Sequence, residues 1–493
     1  MKLKTVFCLL ILACVLAGWQ PSPNLSPSNE PPLRNDPPEQ IIADLETFIP
    51  ARMQQADIPG LTVALIQDGQ VVWSQGFGVT STFNRQPLQP DAVFEVASLS
   101  KVATAYAALQ MTAAGQVSLD EPVNPSLPLS WQIQPPYGSK ITLRHLLSHS
   151  SGAFNPGQPK PPPGQSFFYT GFNYARVQRL LQSQSGLSLE ELATRYTFEP
   201  LGMSSTSYNS PKHLQSRLAY GHIRASYPLL RFLLPASGFF ICLMAALLIL
   251  CKWRTKKWCC PPIAWGAAVF LATIASLLIL AYLYRWSIPK MGWLIALTAL
   301  VFEAMLGLLL LAGLAMRKHL PPAWQTSRRR MAALSAWVLF SMAALTAISG
   351  LVTIPTPHRP ARFPSAAASL WSNAADLAAL MIEISQPQYL PEELASQMCS
   401  VQTVINPDIS WGLGIGIQHS DQGDSLWHTG VHFDFTTLAV IYPDTGNGIV
   451  LLTNTNQETA LREIAQRALG GKAAWEIPRE VQSSSLMPEK NNP

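Results

Sequence analysis

Phe94-Glu95-Val96-Ala97-Ser98-Leu99-Ser100-Lys101 leads into a run of helical periodicity that lasts from Leu99 to Ala114 and stops at Gly115. With Ser98 at the mouth of that helix, Lys101 stands one turn further on, on the same face. An amine so placed can accept the serine proton, and a helix N-terminus favours the negative charge that develops on the oxygen. The spacing alone is not specific. Ser287-Ile288-Pro289-Lys290 repeats it in a short loop between apolar segments, where no scaffold exists to use it.

Around this helix the chain reads as two halves of one α/β fold. Upstream, Leu61–Gln67 and Gln70–Phe77 alternate as strands about the turn Asp68-Gly69, a strong hairpin signal. Far downstream, Thr437–Tyr442 and Ile449–Thr453 are strand-like around Pro443–Gly448, and a last helix is expected from Gln457 to Leu469. Neither half holds a self-contained set of elements.

Composition explains what separates them. Of 493 residues, 48% are hydrophobic and only 13% charged, about half the charge of an ordinary soluble domain. Four apolar segments, Leu229–Cys251, Ile263–Tyr284, Met291–Met316 and Met331–Thr353, each reach the roughly 20 residues that cross a hydrocarbon core as a helix. Their loops carry four Lys/Arg (Lys252 to Lys257), then two (Arg285 and Lys290), then five (Arg317 to Arg330). Positive loops stay in the cytoplasm, so the first and third are inside and both flanking halves are outside. Glu303, within the third span, is expected to face the bundle interior.

The N-terminus agrees with that orientation. Lys2 and Lys4 precede an apolar run, Val6–Ala17, and Val15 and Ala17 suit cleavage before Gly18. Ile11-Leu12-Ala13-Cys14 is a poorer match to a lipoprotein box. The domain reading is therefore 1–18 signal or anchor, 19–40 Pro-rich linker, 41–226 first catalytic half, 227–355 four membrane helices, 356–472 second half and 473–493 polar tail. The basic residues of the first and third loops account for the whole net charge of +5, and no nucleic-acid footprint remains. Of seven cysteines only Cys399 lies in an exported soluble region, so no internal disulfide is expected there.

Several stretches then resemble, in order, the class C β-lactamase, D-alanyl-D-alanine peptidase and esterase family of penicillin-binding-like serine hydrolases. The stretch around Ser98 is similar to its nucleophile motif. Ile141 to Gly152 (ITLRHLLSHSSG) is similar to its helix and turn, and Pro163-Gly164 with Phe168-Tyr169-Thr170-Gly171 and Tyr174 to its second catalytic segment. Pro200-Leu201-Gly202-Met203 with Thr206, the helix start Asn373–Leu377, Trp411-Gly412-Leu413-Gly414 and His428-Thr429-Gly430 follow in family order. The resemblance covers about 50–225 and 357–470.

It implies an antiparallel sheet flanked by helices with a helical subdomain, here interrupted by the four-helix transmembrane insert. Ser98 would form an acyl-enzyme, Lys101 would ease its deprotonation, and Tyr169 would be the general acid/base, its phenol held near cations. His428, Thr429 and Gly430 would line the site, with His428 binding a substrate carboxylate or polarising Tyr169. The N–H groups of Ser98 and Val431 would form the oxyanion hole. One departure stands out: Tyr169-x-Gly171 where the family reads Tyr-x-Asn. Asn173 is the nearby amide that could substitute, though its spacing sets it on another side of the backbone.

The expected substrate is a small molecule or peptide: a D-amino-acid peptide, a β-lactam or a small ester, with membrane lipid beside the protein. No cofactor, metal or obligate protein partner is read. His145 and His149 have the four-residue spacing of helical zinc ligands, but no carboxylate pattern accompanies them. His432 and Asp434 are expected to shape the pocket rim. The alternative to an enzyme is a membrane-coupled sensor with little turnover, which the short inside loops disfavour.

Overall fold

The computed structural model of the protein describes residues 31–152, 161–209, 212–224, 353–355, 365–432 and 434–478. The signal segment, Glu303 and the four expected spans lie outside these residues, except for Thr353. Among the described residues no helix is long and apolar enough to cross a membrane.

The chain begins with α1 (Pro38–Gln55), β1 (Gly60–Gln67), β2 (Gln70–Gly78) and β3 (Phe94–Glu95). Helices α2 (Ser100–Ala113), α3 (Leu143–Leu147), α4 (Gly171–Ser185) and α5 (Leu189–Ala193) follow. Next come the short strands β4 (His222–Arg224), β5 (Thr353–Pro355) and β6 (Trp371–Ser372), then α6 (Ala374–Ser385) and α7 (Glu392–Cys399). Strands β7 (Thr403–Asn406), β8 (Ile409–Trp411), β9 (Gly416–Gln418), β10 (Ser425–Val431), β11 (Thr436–Tyr442) and β12 (Asn447–Thr453) precede the closing helix α8 (Glu458–Leu469).

Eight strands form one antiparallel sheet in the order β2-β1-β12-β11-β10-β9-β8-β7. The expected hairpin is present, with Asp68 and Gly69 both in the left-handed region (φ 50° and 72°) that a two-residue turn between twisted strands demands. Strand alternation divides the core in two. Leu61, Val63 and Leu65 of β1, Leu438 and Val440 of β11, and Ile449 and Leu451 of β12 pack on one face under α1 and α8. Their neighbours Ala64, Ile66, Ala439, Ile441, Val450 and Leu452 pack on the other, against α2, α4 and α6. Helix α1 suits its place: Ile41, Leu45, Ile49 and Met53 recur every four residues and are buried, and Pro38 occupies the first turn, where no N–H is missed.

Three strand ladders join the two halves. Strand β1 pairs with β12 (Leu61 opposite Thr453), and β3 pairs with β6 (Phe94 opposite Ser372). Strand β4 pairs with β5 (Ile223 opposite Ile354), so the described residues on either side of 225–352 lie side by side. Asn373 caps α6 by accepting the Asp376 N–H at 2.7 Å.

Two expected boundaries move. The Pro-rich segment read as a spacer to residue 40 is fastened from residue 31: the Arg34 guanidinium bonds Asp36 and Asp44, each at 2.8 Å, and α1 starts at Pro38. The stretch from 473, read as a polar tail, still contributes to the core. Trp475 is fully buried, with its indole N–H donating to Ser425 Oγ at 3.0 Å, and Ile477 is buried beside it. Two apolar residues in a polar setting were enough to complete the face under α8.

Candidate active site

Ser98 sits in a single 3-10 turn, Ala97–Leu99, that runs directly into α2; the α-helix itself starts two residues after the serine. Ala97 just before it is held at φ +48°, a left-handed conformation that costs a residue with a Cβ and persists only under outside constraint. The constraint is visible. Val96 N–H donates to Leu370 O (2.9 Å), Leu370 N–H to Ser100 Oγ (3.0 Å) and Thr437 Oγ1 to Val96 O (3.1 Å). Strand β10 presses on the same segment: a Cβ on Gly430 would lie 2.2 Å from Val96 O and 3.2 Å from Ser98 N. The glycine of His428-Thr429-Gly430 is therefore required by the approach of the sheet to the serine backbone.

Lys101 reaches back one turn to place Nζ 3.0 Å from Ser98 Oγ, and donates to Ala367 O at 2.7 Å. The side chain is 2% exposed. Among the described residues no carboxylate pairs with it, and burial lowers its pKa from 10.5 to about 7. A neutral amine that donates to Ala367 O keeps its lone pair for the serine proton. Ala367 belongs to the second half of the chain, and sequence reading gave no hint of it. It lies beside Gly171, where a Cβ would meet the Ala367 methyl at 3.6 Å, an ordinary contact. The position has room for a side chain, and the amine is held by main chain instead.

Tyr169 ends the loop before α4, its ring 4.9 Å from Lys101 Nζ. Burial raises its phenol pKa, a shift opposed by a hydrogen bond with Ser98. The resting phenol is therefore protonated, where proximity to a cation would have lowered it. His428 on β10 is 1% exposed, its ring centred 6.2 Å from that of Tyr169. Its Nδ1 faces Thr429 O at 2.7 Å; a carbonyl can only accept, so Nδ1 carries the proton and Nε2 is left as a lone pair, buried and without a partner. Burial first, then the charge of Lys101, lower its pKa to about 3. The neutral ring offers an acceptor and no positive charge.

At the end of β10, His432 N–H donates to Phe435 O at 2.9 Å. Antiparallel alternation then leaves Val431, opposite Thr436, as a non-bonded pair whose N–H turns away from β11. Thr429 and Val431 are both half-buried on this strand. Asn173 goes elsewhere. It is 1% exposed, its Oδ1 accepts from Ser151 Oγ at 2.9 Å, and its Nδ2 is buried without a partner. No described hydrogen bond joins it to Ser98, Lys101 or Tyr169.

The two histidines of the ITLRHLLSHSSG stretch do not share a helix face. His145 closes a capping box with Thr142 at the start of α3, and His149 lies beyond the helix end at φ +57°. His149 instead packs into the site, its ring 4.4 Å from that of Tyr169. Trp411 joins them at 5.8 Å from Tyr169 and 5.4 Å from His428. At the rim His432 Nδ1 pairs with Glu95 Oε1 at 3.2 Å. Burial lowers its pKa, but the bond and charge of Glu95, with the charge of Asp434, outweigh this and raise it.

The family pattern described as Beta-lactamase matches residues 45–472. The chain belongs to the Beta-lactamase family. Protein flp of Staphylococcus aureus (strain NCTC 8325 / PS 47) is 24% identical over 213 residues, 38% of this chain and 42% of its own length. Beta-lactamase of Escherichia coli (strain K12) is 25% identical over 203 residues, 38% of this chain and 53% of that one. The chain thus spans about half the length of the curated relatives it matches. The octameric penicillin-binding protein homologue from Pyrococcus abyssi superposes with a TM-score of 0.55 at 18% identity, covering 87% of this chain and 76% of that one. The D-alanine carboxypeptidase from Burkholderia cenocepacia gives 0.55 at 15%, covering 87% and 98%. At these identities the likeness is one of fold, and it agrees with the sheet and helices described above.

Proposed function

We propose that the protein is a membrane-bound serine hydrolase that cleaves an amide or ester through an acyl-enzyme on Ser98. The observation that carries the reading is the buried Lys101 amine, 3.0 Å from Ser98 Oγ and with its pKa lowered to about 7. Near neutral pH a large fraction of such an amine is unprotonated and takes the serine proton as Oγ attacks the carbonyl carbon. The Ser98 and Val431 N–H groups receive the developing oxyanion. As the tetrahedral intermediate collapses, Tyr169 gives its proton to the leaving nitrogen or oxygen, and Lys101 restores it. Net, the serine proton leaves with the departing group. Water then attacks the ester, its proton returning through the same pair to Ser98. His428, neutral and with a free Nε2 lone pair, suits polarisation of Tyr169 better than binding of a carboxylate.

The substrate belongs to the class of D-amino-acid peptides of cell-wall type, β-lactams or small esters, with the site outside the cell and four helices anchoring it. The pairing of β4 with β5 supports an insertion whose ends return to one place, as an even number of crossings requires.

The test is covalent labelling by a fluorophosphonate and a fluorescent penicillin, followed by turnover of a D-alanyl-D-alanine peptide, a chromogenic β-lactam and a p-nitrophenyl ester. Ser98→Ala is expected to abolish labelling, and Ser287→Ala to leave it unchanged. Undiminished labelling of Ser98→Ala removes the nucleophile assignment; labelling without product release moves the reading to a sensor. In intact cells an impermeant thiol reagent should reach cysteines placed near Gln165 and Gln422, and not those near Thr255 or Gln325. Protection at Gln422 would sink the split-domain topology.

A further inference from the structure

We propose that His149 is the positioning residue for Tyr169, gripping the amide N–H groups of the residues on both sides of it, Phe168 with its main chain and Thr170 with its ring. The inference rests on Tyr169 taking part in the reaction proposed above. His149 O accepts the Phe168 N–H at 2.7 Å, and His149 Nδ1 accepts the Thr170 N–H at 3.3 Å. Tyr169 is the residue between them. The left-handed backbone at φ +57° is what turns both groups toward the same passing segment, and Ser150 O extends the grip to Gly164 N–H at 2.8 Å.

The ring also fixes the side chain. It lies 4.4 Å from the Tyr169 ring at a 40° tilt, and is itself held by Phe167 (5.8 Å), Tyr174 (5.4 Å) and Trp411 (5.9 Å). On the far side Thr170 caps α4, its Oγ1 accepting the Phe172 N–H at 3.2 Å. The tyrosine is thus pinned between a two-point clamp and a helix start.

The clamp requires the neutral imidazole. Nδ1 accepts a backbone N–H and must keep its lone pair, so the proton sits on Nε2. Burial holds the pKa well below the usual histidine range, and a proton on Lys101 or His428 would lower it further. An ordinary core histidine would need neither the left-handed turn nor two bonds flanking one residue.

The test uses the full-length chain in detergent with 3-fluorotyrosine at position 169, read by fluorine NMR, and p-nitrophenyl acetate as acyl donor. Two replacements tolerate the left-handed backbone: His149→Asn keeps an acceptor near the Nδ1 position, and His149→Gly removes it. In His149→Gly the fluorine line should broaden or split, and kcat should fall about a hundredfold, as expected for misplacement of a reacting group. KM should stay within about threefold, because binding groups are untouched. His149→Asn should recover at least about tenfold of the lost kcat and restore one sharp line. Equal rates and equal line shapes in the two variants would overturn the clamp. If the unaltered protein turns over no ester, the hydrolase reading has failed, and the line shapes still decide the clamp.

Discussion

The floor and the rim of the site use the same kinds of side chain under opposite electrostatics. On the floor, Lys101, His149 and His428 are buried, no carboxylate among the described residues pairs with them, and each is driven toward its neutral form. At the rim, His432 is half-buried beside Glu95 and Asp434, and its cation is favoured. His428 and His432 are four residues apart on one strand end, so residue type and local sequence do not set the difference. Burial on the floor strips charge from its bases. The rim keeps a charge pair where solvent screens it.

Breaking the floor has the largest effect. Lys101→Met replaces the amine with an apolar chain of similar length and should lower the acylation rate by about a hundred- to ten-thousandfold. It should leave thermal stability unchanged or raised, because a buried amine is costly. A fall in both would show that Lys101 is structural. Tyr169→Phe should lose a comparable factor of about a hundred or more in kcat with the fold intact.

Lys101 also sets a pH dependence with a definite sign. The acylation rate should rise with pH through about 7 as the amine loses its proton. Its folded value lies below the ordinary 10.5, so the unfolded chain binds the extra proton between these values and stability rises with pH across that interval. His432 has the opposite sign. Its raised value gives stability that is full below the ordinary 6.5 and is lost as pH rises through the raised value. Unfolding midpoints of Lys101→Met and His432→Gln across pH separate the two contributions. Asn173→Ala should have the smallest effect on catalysis, within about tenfold in kcat/KM, since its amide serves Ser151. A loss comparable with that of Tyr169→Phe would place Asn173 in the reaction.

Much of this was legible in the sequence because periodicity and turn chemistry are local. Asp68-Gly69 announced its hairpin and Gly115 ended its helix, while the helix start at Asn373 came from the family resemblance. The bringing together of Ser98, Lys101, Tyr169 and His428 followed from ordered motifs. What escaped was whatever long-range contact decides. Ala367 is one alanine among three and matters only through its carbonyl. His149 was read only for its helical spacing from His145, and its left-handed backbone and contacts with Tyr169 and Trp411 exist only in three dimensions. Trp475 sat in a segment whose average polarity hid two residues that fill the core. The spacing that set Asn173 apart from Gly171 was readable, but its bond to Ser151 was not.

The short ladder of β4 and β5 bears on how the domain reaches its folded state. Strand β1 must wait for β12, a partner nearly four hundred residues later in the chain, and such distant contacts slow folding because loop closure precedes any reward. Once Ile223 and Ile354 are side by side, residues 225–352 no longer count toward that separation. The ladder acts as a splice that gives two distant stretches of polypeptide the effective contact order of an uninterrupted domain.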